Sequence, residues 1–354
     1  MTIGGNVGIG ALVRALAAVC TLTLAACAPL VQQAGRPDLS FQGPRLEATD
    51  FVAVDGTRLA LQHWAAAGEP WAVIVGLHGM NDYSNAFHLA APWWAAQGIT
   101  TYAYDQRGFG RSPGRGIWGG RALMEDDLRT FVALMRQRYP HAIIAVAGVS
   151  MGGAVAIDAF ASAEPPAADR LVLLSPAVWG WSSQPLPSRL ALWLAAHTVR
   201  GLVIKPPDFL LEHIHPTDNL EEERRMSHDR LLIWGARPDA LYGLVDLMQR
   251  GWAKTGKVAV PTAYLYGAKD DIIPKASAFQ AAARLPPPHR TAYYARGHHL
   301  LLVDLQAAAV WADVESFLRD PSAPLPSGAP PIPLKETRSS AAPAAAAEGL
   351  GPSL

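Results

Sequence analysis

Cysteine is nearly missing from this sequence: its 354 residues hold two, Cys20 and Cys27, both near the start. An internal disulfide framework is excluded for the rest of the chain, whose stability must come from packing. Net charge is missing as well. Thirty basic side chains cancel thirty acidic ones, so no global field favours nucleic acid as a partner. Charged residues make up only 17% while half of all residues are hydrophobic, which excludes a disordered chain and supplies a large core. There is no internal repeat.

What is present begins with the stretch around the cysteines. "ALVRALAAVCTLTLAAC" carries a positive charge at Arg14 and then an apolar run too short to span a bilayer as a mature helix, the pattern of an export signal. Its end, Leu24-Ala25-Ala26-Cys27, resembles the lipobox of bacterial lipoproteins, which implies lipidation at Cys27. Ordinary cleavage near Ala26-Cys27-Ala28 is the alternative, and either leads to an exported protein. The expected place is the bacterial cell envelope, with Ala28 favouring the periplasmic side of the outer membrane. Residues 28–45 read as a linker and the Pro/Ala-rich residues 321–354 as a disordered tail, leaving 46–320 as the folded unit.

Within that unit strand-like and helix-like periods alternate. "FVAV" and "TRLALQHW" flank Asp55-Gly56, a turn dipeptide, and predict an antiparallel hairpin. "WAVIVGLHG", "ITTYAYD", "AIIAVAGVS", "RLVLLSP" and "VPTAYLYG" are continuous apolar runs suited to strands buried on both faces, and "RTAYYARG" is a weaker one. Met124, Leu128, Phe131, Val132 and Met135 share one helical face, as do Val310, Trp311, Val314 and Phe317. The expected fold class is α/β, a mostly parallel sheet covered by helices on both sides.

Gly148-Val149-Ser150-Met151-Gly152 stands between one such strand and a helical segment. Small residues on both flanks permit a sharp strand-to-helix turn that presents the serine at a helix N-terminus, where developing negative charge is favoured. A serine hydroxyl attacks only after a base removes its proton, and the base needs an acid to orient it. In this architecture acid and histidine follow the serine in sequence, each after a later strand. Asp270 and Asp271 follow "VPTAYLYG", and His298 and His299 follow "RTAYYARG".

With these residues in hand the chain resembles the α/β-hydrolase family, and within it the monoacylglycerol lipase and lysophospholipase branch grouped with the serine aminopeptidases. "LHGMNDYSNAF", "YDQRGFGRSPG", "GVSMGG", "GAKDDIIP" and "GHHLLLVD" carry the resemblance. It implies Ser150 as nucleophile, Asp270 as acid and His299 as base, with Asp271 and His298 as the other choices. It also implies an oxyanion hole made by the backbone N–H groups of Met80 and Met151. No cofactor and no metal is implied.

Other residues take plainer readings. Asp105 precedes the serine and is expected to brace its loop together with Arg107 and Ser112, and His78 to shape the oxyanion loop. "HIHPTD" lacks the partners of a metal site, and "GFGRSPGRG" lacks the lysine of a phosphate loop. Residues 178–258 break the alternation and are expected to form a helical cap containing Trp179, Trp181, Trp193, Trp234 and Trp252, which mostly pack inward, with some lining an acyl pocket or touching lipid. "NLEEERRMSHDR" reads as a solvated polar face.

The resemblance implies a lipid or small ester substrate, best a monoacylglycerol or lysophospholipid, with a membrane reached through the Cys27 anchor and no nucleic-acid partner. Three rivals stand beside it. A serine aminopeptidase would need acidic groups for a free amine, for which Asp208, Glu212 and Glu221 to Glu223 are the hints. An acyltransferase would pass the acyl group to an alcohol. A non-catalytic lipid-binding envelope lipoprotein would have no use for the serine, acid and histidine.

Overall fold

The computed structural model describes residues 28–205 and 214–333. Cys20, Cys27, Asp208, Glu212, His213 and the last part of the tail lie outside the described residues.

Among the described residues nine strands form one sheet: β1 (Arg45–Leu46), β2 (Asp50–Val52), β3 (Arg58–Trp64), β4 (Ala72–Leu77), β5 (Ile99–Tyr104), β6 (Ile143–Val149), β7 (Arg170–Leu174), β8 (Thr262–Gly267) and β9 (His289–Tyr294). Their spatial order is β1-β2-β3-β5-β4-β6-β7-β8-β9. The first three are antiparallel and the rest run parallel, with β3 antiparallel to β5. The expected hairpin is present, its turn closed by Ala53 N–H donating to the Thr57 carbonyl at 2.8 Å.

The apolar runs have a simple cause. Along β4, Val73, Val75 and Leu77 enter one core while Ala72 and Ile74 enter the other, and β6, β7 and β8 alternate likewise. Both faces of the parallel strands are therefore buried, so period-two polarity never appears in the sequence. One core is covered by α2 (Arg121–Arg138) and α3 (Met151–Phe160), whose faces bury Met124, Leu128, Phe131 and Val155. The other is covered by α1 (Ala90–Ala96) and α8 (Ala307–Arg319), which bury Trp94, Val310, Val314 and Phe317.

Between β7 and β8 the chain leaves the sheet and builds α4 (Leu186–Thr198), α5 (Leu220–His228) and α6 (Pro238–Lys254). After β8 comes α7 (Lys275–Ala282). Arg115 ties this excursion to the sheet domain by donating to the Arg230, Leu231 and Leu232 carbonyls at 2.7, 2.9 and 3.0 Å.

Order extends further at both ends than the sequence suggests. Gln32 N–H donates to the Trp118 carbonyl at 2.9 Å, and Gly35 N–H to Asp55 Oδ2 at 2.7 Å, so the first part of the expected linker is docked. Beyond 320, Tyr293 N–H donates to the Pro330 carbonyl at 2.8 Å and Ile332 is buried. The reason is that β9 is the sheet's edge, and residues 321–333 cover part of its open hydrogen-bonding side.

Candidate active site

The order of strands places the site. β4 leads to β5 on one side and, after β5, the chain returns to β6 on the other. At this switch the loops after β4 and β6 diverge and leave a crevice at the carboxyl ends of the strands. His78-Gly79-Met80 follow β4 and Ser150 follows β6.

Ser150 has φ 49° and ψ −114°, a conformation that L-residues rarely adopt. The turn is held from β7: Ser150 N–H donates to the Leu174 carbonyl at 3.0 Å, and its own carbonyl accepts from Ala177 N–H at 2.9 Å. Gly152 lies so close to β4 that a Cβ there would collide with the Leu77 carbonyl. A Cβ on Gly79 would meet Ser150 Cβ at 3.3 Å, so the loop after β4 and the turn after β6 are in contact.

Asp270 and His299 come together from the loops after β8 and β9, with His299 Nδ1 2.9 Å from Asp270 Oδ2. Both side chains are buried. Asp270 Oδ1 accepts from the Ile272 and Ile273 N–H groups, each at 2.9 Å. Burial alone would raise the Asp270 pKa; the neighbouring imidazole, its hydrogen bond and the two backbone donors outweigh burial and leave it below the ordinary carboxylate value. An ionised carboxylate can only accept, so His299 donates through Nδ1–H and keeps its lone pair on Nε2. The alternatives sit elsewhere. Asp271 is exposed, and His298 turns to Asp304, its Nδ1 3.8 Å from Oδ1.

The loop after β4 is pinned by a buried histidine. His78 Nε2 accepts from Gln106 N–H at 2.8 Å, so the ring proton is on Nδ1, which donates to the Gly79 carbonyl at 2.8 Å. Burial pulls the His78 pKa down to about 4, so the ring stays neutral at pH 7. Because the peptide is trans, a carbonyl held toward His78 turns the Met80 N–H the opposite way. Met151 is the first residue of α3, where N–H groups have no intrahelical acceptor. Gln106, which also donates to the His78 carbonyl at 2.9 Å, was not singled out in the sequence. Its position beside Asp105 in the "YDQRG" stretch is the only signal it left.

Asp105 does brace its loop, accepting from the Ser84 and Arg111 N–H groups at 2.9 Å, and its carbonyl accepts from the Ser112 hydroxyl. Arg107 does not join it. Its guanidinium is buried between Asp127, at 2.7 and 2.8 Å, and Asp55, at 2.8 and 3.0 Å. The planar fork meets two carboxylates, one on each side, which a single loop carboxylate could not match.

Ser150 and His299 line one cavity of about 220 Å³ with Met80, Met226, Leu232, Ile233, Trp234, Ile272 and Leu300. Asp82 is the one carboxylate on its wall among the described residues. Burial pushes the Asp82 pKa up to about 7, against a hydrogen bond from Tyr83 N–H and the charge of Arg225. The cap tryptophans divide: Trp179, Trp181 and Trp252 pack inward, while Trp193 and Trp234 are exposed. The "NLEEERRMSHDR" stretch is not all solvated. Its Glu222 is buried against Arg225 and His88, and Met226 faces the cavity, because α5 is amphipathic and rests one face on the sheet domain.

Asp218, His298 and Asp304 bring one potential ligand atom each within 4.8 Å of the others. Asp304 already accepts from His298 N–H at 2.8 Å and from the Thr217 hydroxyl at 2.7 Å, which accounts for its place as a brace of the histidine loop. His215, from the "HIHPTD" stretch, is exposed.

The family model described as "Serine aminopeptidase, S33" matches residues 68–306. The chain belongs to this family. Among its relatives are a monoacylglycerol lipase of Mycolicibacterium smegmatis, 34% identical over 36% of this chain and 46% of that protein, and a monoglyceride lipase of Rattus norvegicus, 25% identical over 74% of this chain and 86% of that one. The chain thus spans about half the length of the first relative. A solved monoacylglycerol lipase of Paleococcus ferrophilus superposes with TM-score 0.63 at 17% identity, covering 75% of this chain and 99% of the other. A soluble variant of the Saccharomyces cerevisiae monoglyceride lipase gives 0.63 at 18%, covering 82% and 99%. This family member therefore has the α/β-hydrolase fold and is similar to monoacylglycerol lipases.

Proposed function

We propose that this hydrolase is an exported, lipid-anchored carboxylic ester hydrolase acting on a monoacylglycerol or lysophospholipid. The observation that carries the reading is the cavity itself: a serine and an aspartate-paired histidine open on walls that are mainly aliphatic, thioether and indole, which suit an acyl chain. The lipase names of the relatives support the same substrate class.

In this reading the Ser150 hydroxyl gives its proton to His299 Nε2 as the oxygen attacks the ester carbon. Asp270 stabilises the imidazolium that results, and the Met80 and Met151 N–H groups receive the oxyanion. As the tetrahedral species collapses, the imidazolium returns the proton to the departing alcohol, leaving an acyl-enzyme. Water, deprotonated by His299, then releases the fatty acid and regenerates Ser150.

An aminopeptidase would need a carboxylate to hold the substrate ammonium. Asp82 fits that role poorly, because its raised pKa leaves it part-protonated near neutrality. Glu222 is engaged by Arg225 and His88.

The test is to incubate the protein and its Ser150→Ala variant with a monoacylglycerol, a lysophospholipid and an aminoacyl arylamide. Fatty acid should be released by the wild type, and the variant should be slower by roughly 10⁵-fold or more. Arylamine release alone would transfer the assignment to a peptidase, and acyl transfer to an added alcohol in preference to water would make it a transferase. Export and lipidation are tested separately by following palmitate label into the wild type and Cys27→Ser.

A further inference from the structure

The "HIHPTD" stretch lacks the partners of a metal site in its own neighbourhood, but the fold supplies two from elsewhere. Its last residue, Asp218, stands just before α5 and is brought against the loop that carries His299. Asp218 Oδ1 accepts from Leu305 N–H at 2.8 Å, and the Asn219 side-chain amide donates to the Val303 carbonyl at 3.0 Å. One carboxylate oxygen from each of Asp218 and Asp304 and one ring nitrogen of His298 then lie within 4.8 Å of one another.

The histidine separates this group from an ordinary hydrogen-bonded cluster. The His298 side chain is 9% exposed, and among the described residues its buried Nδ1 has no hydrogen-bond partner. Nδ1 faces Asp304 Oδ1 across 3.8 Å, too far for a hydrogen bond. A buried polar atom left unpaired is costly, and native proteins keep few of them. The carboxylates raise the same question, because every donor they have among the described residues is neutral. Asp304 accepts from His298 N–H, the Thr217 hydroxyl and the Gln306 amide, and Asp218 from Leu305 N–H. Lone pairs remain on both carboxylates.

The spacing suits a cation. With bonds of about 2.0–2.2 Å, two ligand atoms of one ion stand roughly 3–4.4 Å apart, so the Nδ1 to Oδ1 separation already fits and Asp218 needs only a small rotation. The bonds from Thr217 and His298 N–H to Asp304 are of the kind that orient a ligating carboxylate. An imidazole nitrogen with two carboxylates matches zinc better than calcium or magnesium, which take oxygen ligands. Asp218 is only partly buried, which leaves an entry path and a fourth position for water.

We propose that Asp218, His298 and Asp304 bind one zinc ion that clasps the base of the cap to the loop carrying His299. None of the three lines the cavity of Ser150, so the ion is structural and takes no part in the chemistry there. The site does not depend on what that cavity hydrolyses.

The experiment uses the full chain, untagged, with Cys20→Ser and Cys27→Ser so that no thiolate competes for the metal. After EDTA treatment, equilibrium dialysis against zinc chloride should load one zinc per chain. Asp218→Asn, whose amide oxygen can still accept from Leu305 N–H, should weaken binding roughly tenfold or more, and His298→Gln roughly a hundredfold. Zinc at about a hundredfold excess over its Kd should raise the parent's Tm by roughly 4 °C and leave His298→Gln unmoved. His215→Ala, in the exposed part of the same stretch, should bind zinc like the parent. Absence of zinc uptake, or uptake undiminished by Asp218→Asn and His298→Gln, would overturn the proposal. A loss in His215→Ala equal to that in His298→Gln would overturn it by moving the ion to the surface, and an equal rise of Tm with calcium would overturn the nitrogen ligand. Should His298→Gln fail to fold by circular dichroism, Asp218→Asn decides. Ser150→Ala must bind zinc like the parent. Zinc uptake without ester hydrolysis would therefore count against the hydrolase reading alone, and ester hydrolysis without zinc uptake against the clasp alone.

Discussion

The carboxyl edge of the sheet and the outer helix of the cap are built on opposite terms. At the sheet edge nearly every polar group of Asp270, His78 and Asp105 has a named partner, and the groups are buried. On α4 apolar side chains stand in water and one residue of thirteen is buried. The first arrangement restricts geometry and charge; the second leaves apolar surface free to meet something outside the molecule. Arg115 joins the sheet domain to the excursion that carries α4.

Variants separate the two regions in order of expected effect. Asp270→Asn removes the charge that orients and stabilises protonated His299, and kcat should fall roughly 10⁴-fold with the fold intact. In the wild type the Asp270 carboxylate has a lowered folded pKa. Its contribution to stability is therefore full above the unfolded value and is lost only as pH falls through the folded one, below the usual carboxylate range. Thermal melts at successive pH values should show an acid limb that Asp270→Asn reduces.

Arg107→Met leaves Asp127 buried without its cation, and urea unfolding should register a loss of about 3–5 kcal/mol. A loss below 1 kcal/mol would mean that this network does not hold the loop after β5. Asp82→Asn should act more gently. Its folded pKa is raised, to about 7, so the wild type is favoured below the unfolded value and loses that advantage as pH rises through neutrality. The variant should lack this slope, with a Tm a few degrees above wild type at pH 8 and similar at pH 4. Smallest of all, Leu190→Glu should change stability by no more than about 0.5 kcal/mol, because the side chain already faces water. A large loss there would dissolve the contrast between edge and cap.

Much of the scaffold was legible because its signals are local. Strands buried on both faces must be continuous apolar runs, and the elbow needs small residues at 148 and 152 whatever surrounds them. The order of serine, acid and histidine could be read for the same reason: each follows its own strand. Partners were less legible. Arg107 stands in the sequence with the loop of Asp105, yet it bonds Asp55 and Asp127, fifty-two and twenty positions away. Asp82 and Arg115 gave no local sign of their duties, and Gln106 only its place beside Asp105, since those duties depend on the α5 helix, on carbonyls of the cap and on His78. Residues 321–333 have the composition of a free tail, and only the open edge of β9 gives them something to bind.

The sequence by itself determined the fold class, the strand-to-helix turn at Ser150, and the short set of residues that could act with it, because periodicity and turn chemistry are properties of neighbouring residues. Tertiary structure decided which members of the pairs Asp270/Asp271 and His298/His299 meet, how the Gly79 carbonyl is held, and which apolar cap residues line the cavity or face solvent. Those choices depend on distances between loops far apart in the chain. Such distances are set when both sheet faces and the cap are packed, and no local pattern encodes them.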